Sequence, residues 1–350
     1  MELIRVDSQR LIDFCREGLE RAGIRPEDAQ AAAEILVECD MRGVASHGVV
    51  ALPHYITQMQ KGGIDTQAEP KILREGPAYA VIDAGAGMGQ VSAYKGTRLA
   101  IEKAKATGLG MVTIRNSNHF GAGASYVLMC AREGMIGEAV SNAPAMMSIT
   151  GGKGRSIGNN PLAMAAPAGK HPPVVLDMAM SVVAAGKIVN YASAGQSIPE
   201  GWLLDREGNP TTDPNNYIPG GSLIPFGGYK GYGLAFFVEV LAGVLSGAGI
   251  TKELVSWRLQ PDTPTKTGHT IRAVNIEALM EREEFLARID RLIDEMHNTP
   301  TAPGVDRIYV PGEIEHLALE EAKKIGVGLS PTAFNGLAEM AERLNMDFPF

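Results

Sequence analysis

Sixteen consecutive residues, YGLAFFVEVLAGVLSG at 232–247, contain a single charged side chain, Glu239. The run is shorter than the ~18 residues that a membrane span needs, and it has no polar face to turn to water. It therefore predicts a helix from about Gly231 that is buried on most sides. Only a sizeable protein can surround such a helix. At 350 residues, with 45% apolar and 21% charged residues, the chain has room for a large core and two or three domains.

The rest of the pattern divides in two. In the N-terminal quarter, Asp7 is placed to cap a helix with Leu11, Ile12, Cys15 and Leu19 on one face, stopped by Gly23. Pro26 then opens a second helix that runs through AAAEILVECDM to Gly43. From residue 79 the pattern alternates. Strands are expected at 79–84, 110–114, 135–141, 173–179 and 270–276, and helices at 90–107, 124–133 and 281–296. Two closing helices are expected at about 313–324 and 331–344. Stretches 64–70 and 249–268 are linker candidates, the second a Thr- and Pro-rich surface loop.

A net charge of −8 and a pI near 5.5 argue against nucleic-acid binding. No run is long enough for a membrane span, and the N-terminus lacks the apolar region of a signal peptide. Three widely spaced cysteines, Cys15, Cys39 and Cys130, suit reduced thiols in the cytoplasm.

Several motifs invite chemistry. GAGMG at 85–89 lacks the spacing of the dinucleotide fingerprint, which occurs nowhere after a first strand, so these glycines read as turns. GRSIG at 154–158 has the letters of a nucleophile elbow without the strand and helix that one needs. His47 and His54, seven apart, have no ligand-spaced partners, so no metal is expected. In an extended segment the Ser46 and His47 side chains would diverge. RNSNHFGAGASY at 115–126 is more telling: Arg115, Asn116, Ser117, Asn118 and His119 follow a strand directly and precede a helix, a favoured place for chemistry. Lys230, in GGYKGYG, sits at the mouth of the apolar helix, where free N–H groups and the helix dipole suit a phosphate. Asp177 ends an apolar strand and needs a partner there, or else caps a helix.

These blocks, with RGVASHG, KGG at 61–63, NNPLAMAAP at 159–167, IPEGW at 198–202, GNPTTDP at 208–214 and IYVPGE, resemble in order the type 2 malate/L-lactate dehydrogenase family. The likeness spans residues from about 10 to 315. It implies an oxidoreductase using NAD or NADP, a homodimer, and hydride exchange with a small 2-hydroxy or 2-oxo acid. The fold class it implies is α+β and non-Rossmann: a mixed sheet plus a helical domain at residues 1–70, joined by helices from 313–350, with 71–312 as the α+β part that binds cofactor and substrate. A cyclic-imine reductase on the same scaffold, or a non-catalytic dinucleotide-binding protein, is the alternative. By this resemblance either His47 or His119 is the acid/base, and Ser46 and Asp177 form a relay with His47. Tyr55 matches a substrate-site tyrosine. Asp177, Met178, Ala179, Lys230, Pro311, Gly312 and Glu313 match segments that contact the dinucleotide, and Asn160, in the NNPLAMAAP block, is placed with them as a cofactor-binding candidate.

The chain also departs from the family. Ala51 stands where many members carry a carboxylate-binding arginine, and a methyl group cannot replace a guanidinium clamp. Arg42 and Arg115 are the substitutes considered, with Asn118 as a further substrate contact. Asn159, Met180 and Ala143 also differ from the pattern. Substrate-side positions therefore diverge while cofactor-side segments hold.

Overall fold

The computed structural model describes residues 3–350. Strand β1 (Ile4–Val6) leads into α1 (Ser8–Arg21), whose first turn is closed by Asp7 accepting from the Arg10 N–H at 2.9 Å. Helix α2 (Pro26–Met41) starts on its proline, and α3 (Leu52–Lys61) ends at left-handed Gly62. At the far end of the chain come α9 (Glu313–Ile325), β12 (Val327–Leu329) and α10 (Pro331–Leu344), with β12 antiparallel to β1. Leu11, Leu36, Tyr55 and Ile56 share one core with Leu337 and Met340. Each such fully buried side chain contributes about 1.5–3 kcal/mol relative to exposure.

Between these ends lies a mixed seven-stranded sheet. Its strands are β2 (Lys71–Gly76), β3 (Tyr79–Asp83), β4 (Leu109–Ser117), β5 (Met135–Ser141), β6 (Leu162–Ala166), β7 (Val174–Met178) and β11 (Thr267–Asn275). Their order is β2-β3-β4-β11-β5-β6-β7, and β3/β4 is the parallel pair. A parallel pair needs a crossover, which α4 (Gly89–Thr107) supplies. Helix α5 (Ala124–Arg132) packs with α4 over the same face, burying Ile114, Tyr126, Val127 and Ile271.

A third core gathers around α6 (Ala185–Ser193), a small sheet of β8 (Leu203–Leu204), β9 (Pro210–Thr211) and β10 (Ser222–Leu223), and α7 (Tyr229–Glu239). Helix α8 (Arg282–His297) lies on the outside.

The expected strands and helices are found within a few residues of their bounds. β2 and β6 were not foreseen: KILREG is an exposed, charged edge and LAMAA carries little strand propensity. The larger correction concerns the apolar helix. It exists, continuing into a π-helical turn at Val240–Val244, but it is not buried on most sides. Ala235, Val238 and Ala242 face the third core, whereas Leu234, Phe236, Phe237, Val244 and Leu245 are exposed, Phe237 by 67%. The chain's own core covers only one side of it. Among the described residues no helix is long and apolar enough to cross a membrane.

Candidate active site

After α2 the chain makes two short 3-10 turns, Ala45–His47 and Val49–Ala51, before α3. Buried Asp40 fixes this corner by accepting from the Val49 N–H at 2.6 Å, and burial pushes its carboxyl up to about 7. The tight winding corrects one expectation. Ser46 and His47 do not diverge, because the segment is not extended, and Ser46 Oγ lies 2.9 Å from His47 Nδ1.

His119 follows the end of β4 and leans on the other side of this corner. Tyr55, buried in α3, places its hydroxyl 2.6 Å from His119 Nδ1. The His47 and His119 rings lie nearly parallel, 5.7 Å apart at their centroids and 25° inclined. In both histidines Nδ1 is held by a hydroxyl, and Nε2 has no protein partner among the described residues. Burial, then the charge of Arg258, lowers the pKa of His47. His119 is held well below the usual imidazole range by burial first, then by His47, Arg258 and His269. Both rings are therefore neutral near pH 7 and able to accept a proton.

The backbone carrying His119 is clamped from beneath. Asn118, expected to touch substrate, is fully buried, and its amide is used internally. Nδ2 donates to the carbonyls of Ala86 (2.8 Å) and Gly87 (3.0 Å), and Oδ1 accepts from the Thr265 N–H (3.1 Å). Gly89 lets α4 come this close: a Cβ there would lie 2.3 Å from the carbonyl oxygens of Asn118 and His119. The GAGMG glycines thus support the histidine loop. His269, which sequence reasoning missed, bridges Ser141 (2.9 Å) and Ser117 (3.0 Å) and stacks on Phe120 at 4.5 Å. Burial brings its pKa down to about 3, so it is a neutral strut.

The loop 249–268 is more than a linker. It folds over the histidines, where Trp257 stacks on His119 (centroids 4.9 Å, 19°) and on Tyr55 (5.0 Å, 15°). Arg258 lies over the Trp257 ring at 4.6 Å. No sequence signal marked either residue.

The segments expected at the cofactor are spread along β7, Pro311–Gly312 near its start and the start of α7 beyond its end. Val175 N–H donates to the Pro311 carbonyl (2.9 Å), and left-handed Gly312 (φ 86°) packs against Val175, where a Cβ would clash at 2.7 Å. On the other side, Phe226 N–H donates to the Met180 carbonyl (3.0 Å), bringing the start of α7 and exposed Lys230 beside Met178 and Ala179. Asp177 lies between these segments in β7, and its Oδ2 accepts from the Ala124 N–H at 2.8 Å, at the start of α5. The surrounding protein pushes its carboxyl up to about 6. No hydrogen bond joins Asp177 to Ser46 or His47, so the three-residue relay is not assembled by direct contact here.

Four other expected residues are placed elsewhere. The Asn160 amide is spent on the Ala235 carbonyl (2.9 Å), Glu239 (2.7 Å) and the Ala143 N–H (3.0 Å), because a buried loop must satisfy its own polar groups. Glu313 pairs with His297 (2.8 Å) and Arg307 and accepts from the Val310 N–H (3.2 Å), stiffening the Pro311–Gly312 turn. Arg115 is paired with Asp83 at 3.1 Å. Arg42 is 7% exposed and lies within electrostatic reach of Glu38, Glu315 and Asp177.

This site can be set beside known proteins. A family profile described as malate/L-lactate dehydrogenase matches residues 6–338. The chain belongs to the malate/L-lactate dehydrogenase family. It is 40% identical to the malate dehydrogenase of Pyrococcus horikoshii, over 98% of this chain and 96% of that one. To the L-sulfolactate dehydrogenase of Methanocaldococcus jannaschii it is 38% identical, over 94% of each. The solved malate dehydrogenase of Entamoeba histolytica superposes with a TM-score of 0.94 at 32% identity, covering 100% of both chains. The chain is accordingly an oxidoreductase acting on CH–OH groups, with a nicotinamide cofactor.

Proposed function

We propose that the enzyme interconverts a small 2-hydroxy acid and its 2-oxo acid, with NAD or NADP bound along the end of β7 and His119 as the proton-transfer group. The observation that carries this reading is the pair of neutral histidines whose Nε2 atoms are both unpaired, beside a cleft built for an anion. Lys230 has no ion-pair partner among the described residues, and the buried Nε of Arg42 has no hydrogen-bond partner. These donors, with the backbone of Met178 and Ala179 and the Pro311–Gly312 turn, fit a dinucleotide without a Rossmann fingerprint. The bound nicotinamide supplies or accepts the hydride.

The protein's part is the proton. In the oxidation direction His119 Nε2 accepts it from the substrate hydroxyl, and in reduction it returns it. Tyr55, whose phenol burial keeps protonated, fixes the ring through Nδ1. His47, oriented by Ser46, faces the same space and polarises the same oxygen. Trp257 covers the far side of His119 and excludes water.

In this reading residues 1–70 and the closing helices frame the cleft, and 71–312 hold cofactor and substrate. The exposed face of α7 supports a homodimer, since Leu234, Phe236, Phe237, Val244 and Leu245 form an apolar stripe that a second copy would cover. Three buried, unpaired cysteines support a reduced, cytoplasmic setting.

The test is a screen of nicotinamide absorbance with NADH or NADPH against pyruvate, oxaloacetate and sulfopyruvate, and with NAD or NADP against the matching hydroxy acids. Turnover of one such pair supports the assignment. Turnover of a cyclic imine with none of the 2-oxo acids would contradict it.

A further inference from the structure

The missing guanidinium at position 51 leaves a question about the substrate's carboxylate. Ala51 is 1% exposed and belongs to the core, so nothing at that position reaches the cleft. Arg115 is committed to Asp83, and Arg42 is buried within reach of three carboxylates, Glu38, Glu315 and Asp177. Arg258 is different. It sits at the tip of the Ser256–Gln260 turn, where Leu259 N–H (3.2 Å) and Gln260 N–H (2.9 Å) donate to the Ser256 carbonyl. Its guanidinium lies 4.6 Å from the centroid of Trp257, which is itself stacked on His119 and Tyr55. Among the described residues no carboxylate pairs with it.

We propose that Arg258 binds the substrate carboxylate, so that the turn carrying Trp257 and Arg258 replaces position 51 as the acid-recognising element. The assignment rests on the hydroxy-acid reading above. Three features support it beyond proximity. The loop is anchored to the histidine it serves: Thr265 N–H donates to Asn118 Oδ1 (3.1 Å) and Thr265 Oγ1 to the Ser117 carbonyl (3.1 Å), so its base cannot drift from His119. The guanidinium lies over an indole ring, 4.6 Å from its centroid, a cation–π contact that restrains where its planar fork can go. Its positive charge is felt at His47, at His119 and at the Tyr55 hydroxyl, as it is at His54, so it lies within electrostatic reach of both candidate proton-transfer groups. A carboxylate is the anion that a 2-hydroxy acid presents one bond from its reacting carbon. Arg258 would grip it while His119 Nε2 meets the hydroxyl.

The test uses the full-length enzyme with NADH or NADPH, and oxamate as an unreactive 2-oxo-acid mimic. Oxamate binding is followed by tryptophan fluorescence, since Trp257 lies under the guanidinium, and by calorimetry. Arg258→Met should weaken oxamate about 100-fold, and should lower kcat/KM for the 2-oxo acid by a similar factor. Affinity for the dinucleotide should not change. Arg258→Lys should recover part of the loss, because charge remains without the fork. Wild-type discrimination between pyruvate and neutral pyruvamide should collapse in Arg258→Met.

Unchanged oxamate affinity in Arg258→Met would overturn the assignment while leaving the enzyme's reaction intact. So would an equal loss on pyruvate and pyruvamide, the mark of a structural role. Failure of wild type to bind oxamate would overturn it as well. Arg258-dependent oxamate binding by an enzyme that reduces no 2-oxo acid would support the clamp and refute the hydroxy-acid reading.

Discussion

The Tyr55 hydroxyl and His119 Nδ1, 2.6 Å apart, join a buried helix to the loop after β4. The pairing fixes the imidazole through one nitrogen and leaves the other for substrate. Tyr55→Phe should therefore keep the ring stack and lose the tether. The expected result is a fall in kcat of about tenfold or more, with dinucleotide affinity unchanged, measured by steady-state kinetics and cofactor titration.

The depressed basicity of His119 sets the acid limb of the reaction. A general base must be neutral, and His119 is held neutral to lower pH than an ordinary imidazole by burial, by His47 and by Arg258. In the oxidation direction kcat/KM should stay level as pH falls through about 6.5, the ordinary imidazole value, and decline only below it. A pH–rate profile with saturating cofactor checks this.

Lys230 should divide binding from chemistry in the opposite sense. Lys230→Ala removes an exposed ammonium at the start of α7 and touches neither histidine. Dinucleotide affinity should drop by about tenfold or more, while turnover at saturating cofactor stays near wild type. Fluorescence titration beside kinetics reads both.

Asp40 predicts a pH dependence of stability. Its folded-state pKa of about 7 lies above the ordinary value of 3.8, with burial as the main cause and the Val49 N–H opposing it. The stability it contributes is fully present below about pH 4 and is lost as pH rises through about 7. Asp40→Asn, which keeps an oxygen for Val49, should lose less stability than wild type between pH 5 and 8, by a few degrees of melting temperature. Calorimetric scans across that range check it.

How much of this was legible in the sequence depended on what each residue faces. The polar cluster around His119 stood out because it follows an apolar strand at once, and the Ser46–His47 corner because it interrupts helical sequence. Polar identity did not reveal direction. Asn118 and Asn160 have the residue type of ligand contacts, yet Asn118 spends its amide on loop backbone and Asn160 on the Ala143 N–H, the Ala235 carbonyl and Glu239, since buried polar groups must be paired. Trp257 and Arg258 were invisible because a Thr- and Pro-rich stretch looks the same whether it hangs in solvent or folds across a cleft. The apolar run at 232–247 announced a surface that needs covering, but periodicity cannot say whether the same chain covers it.

The most direct test is His119→Ala, read by turnover and by dinucleotide affinity on the same protein. Turnover should fall by about 10²–10⁴-fold while the cofactor binds as in wild type. Collapse of cofactor affinity with turnover per bound complex preserved would contradict the assignment of His119 as the proton-transfer group.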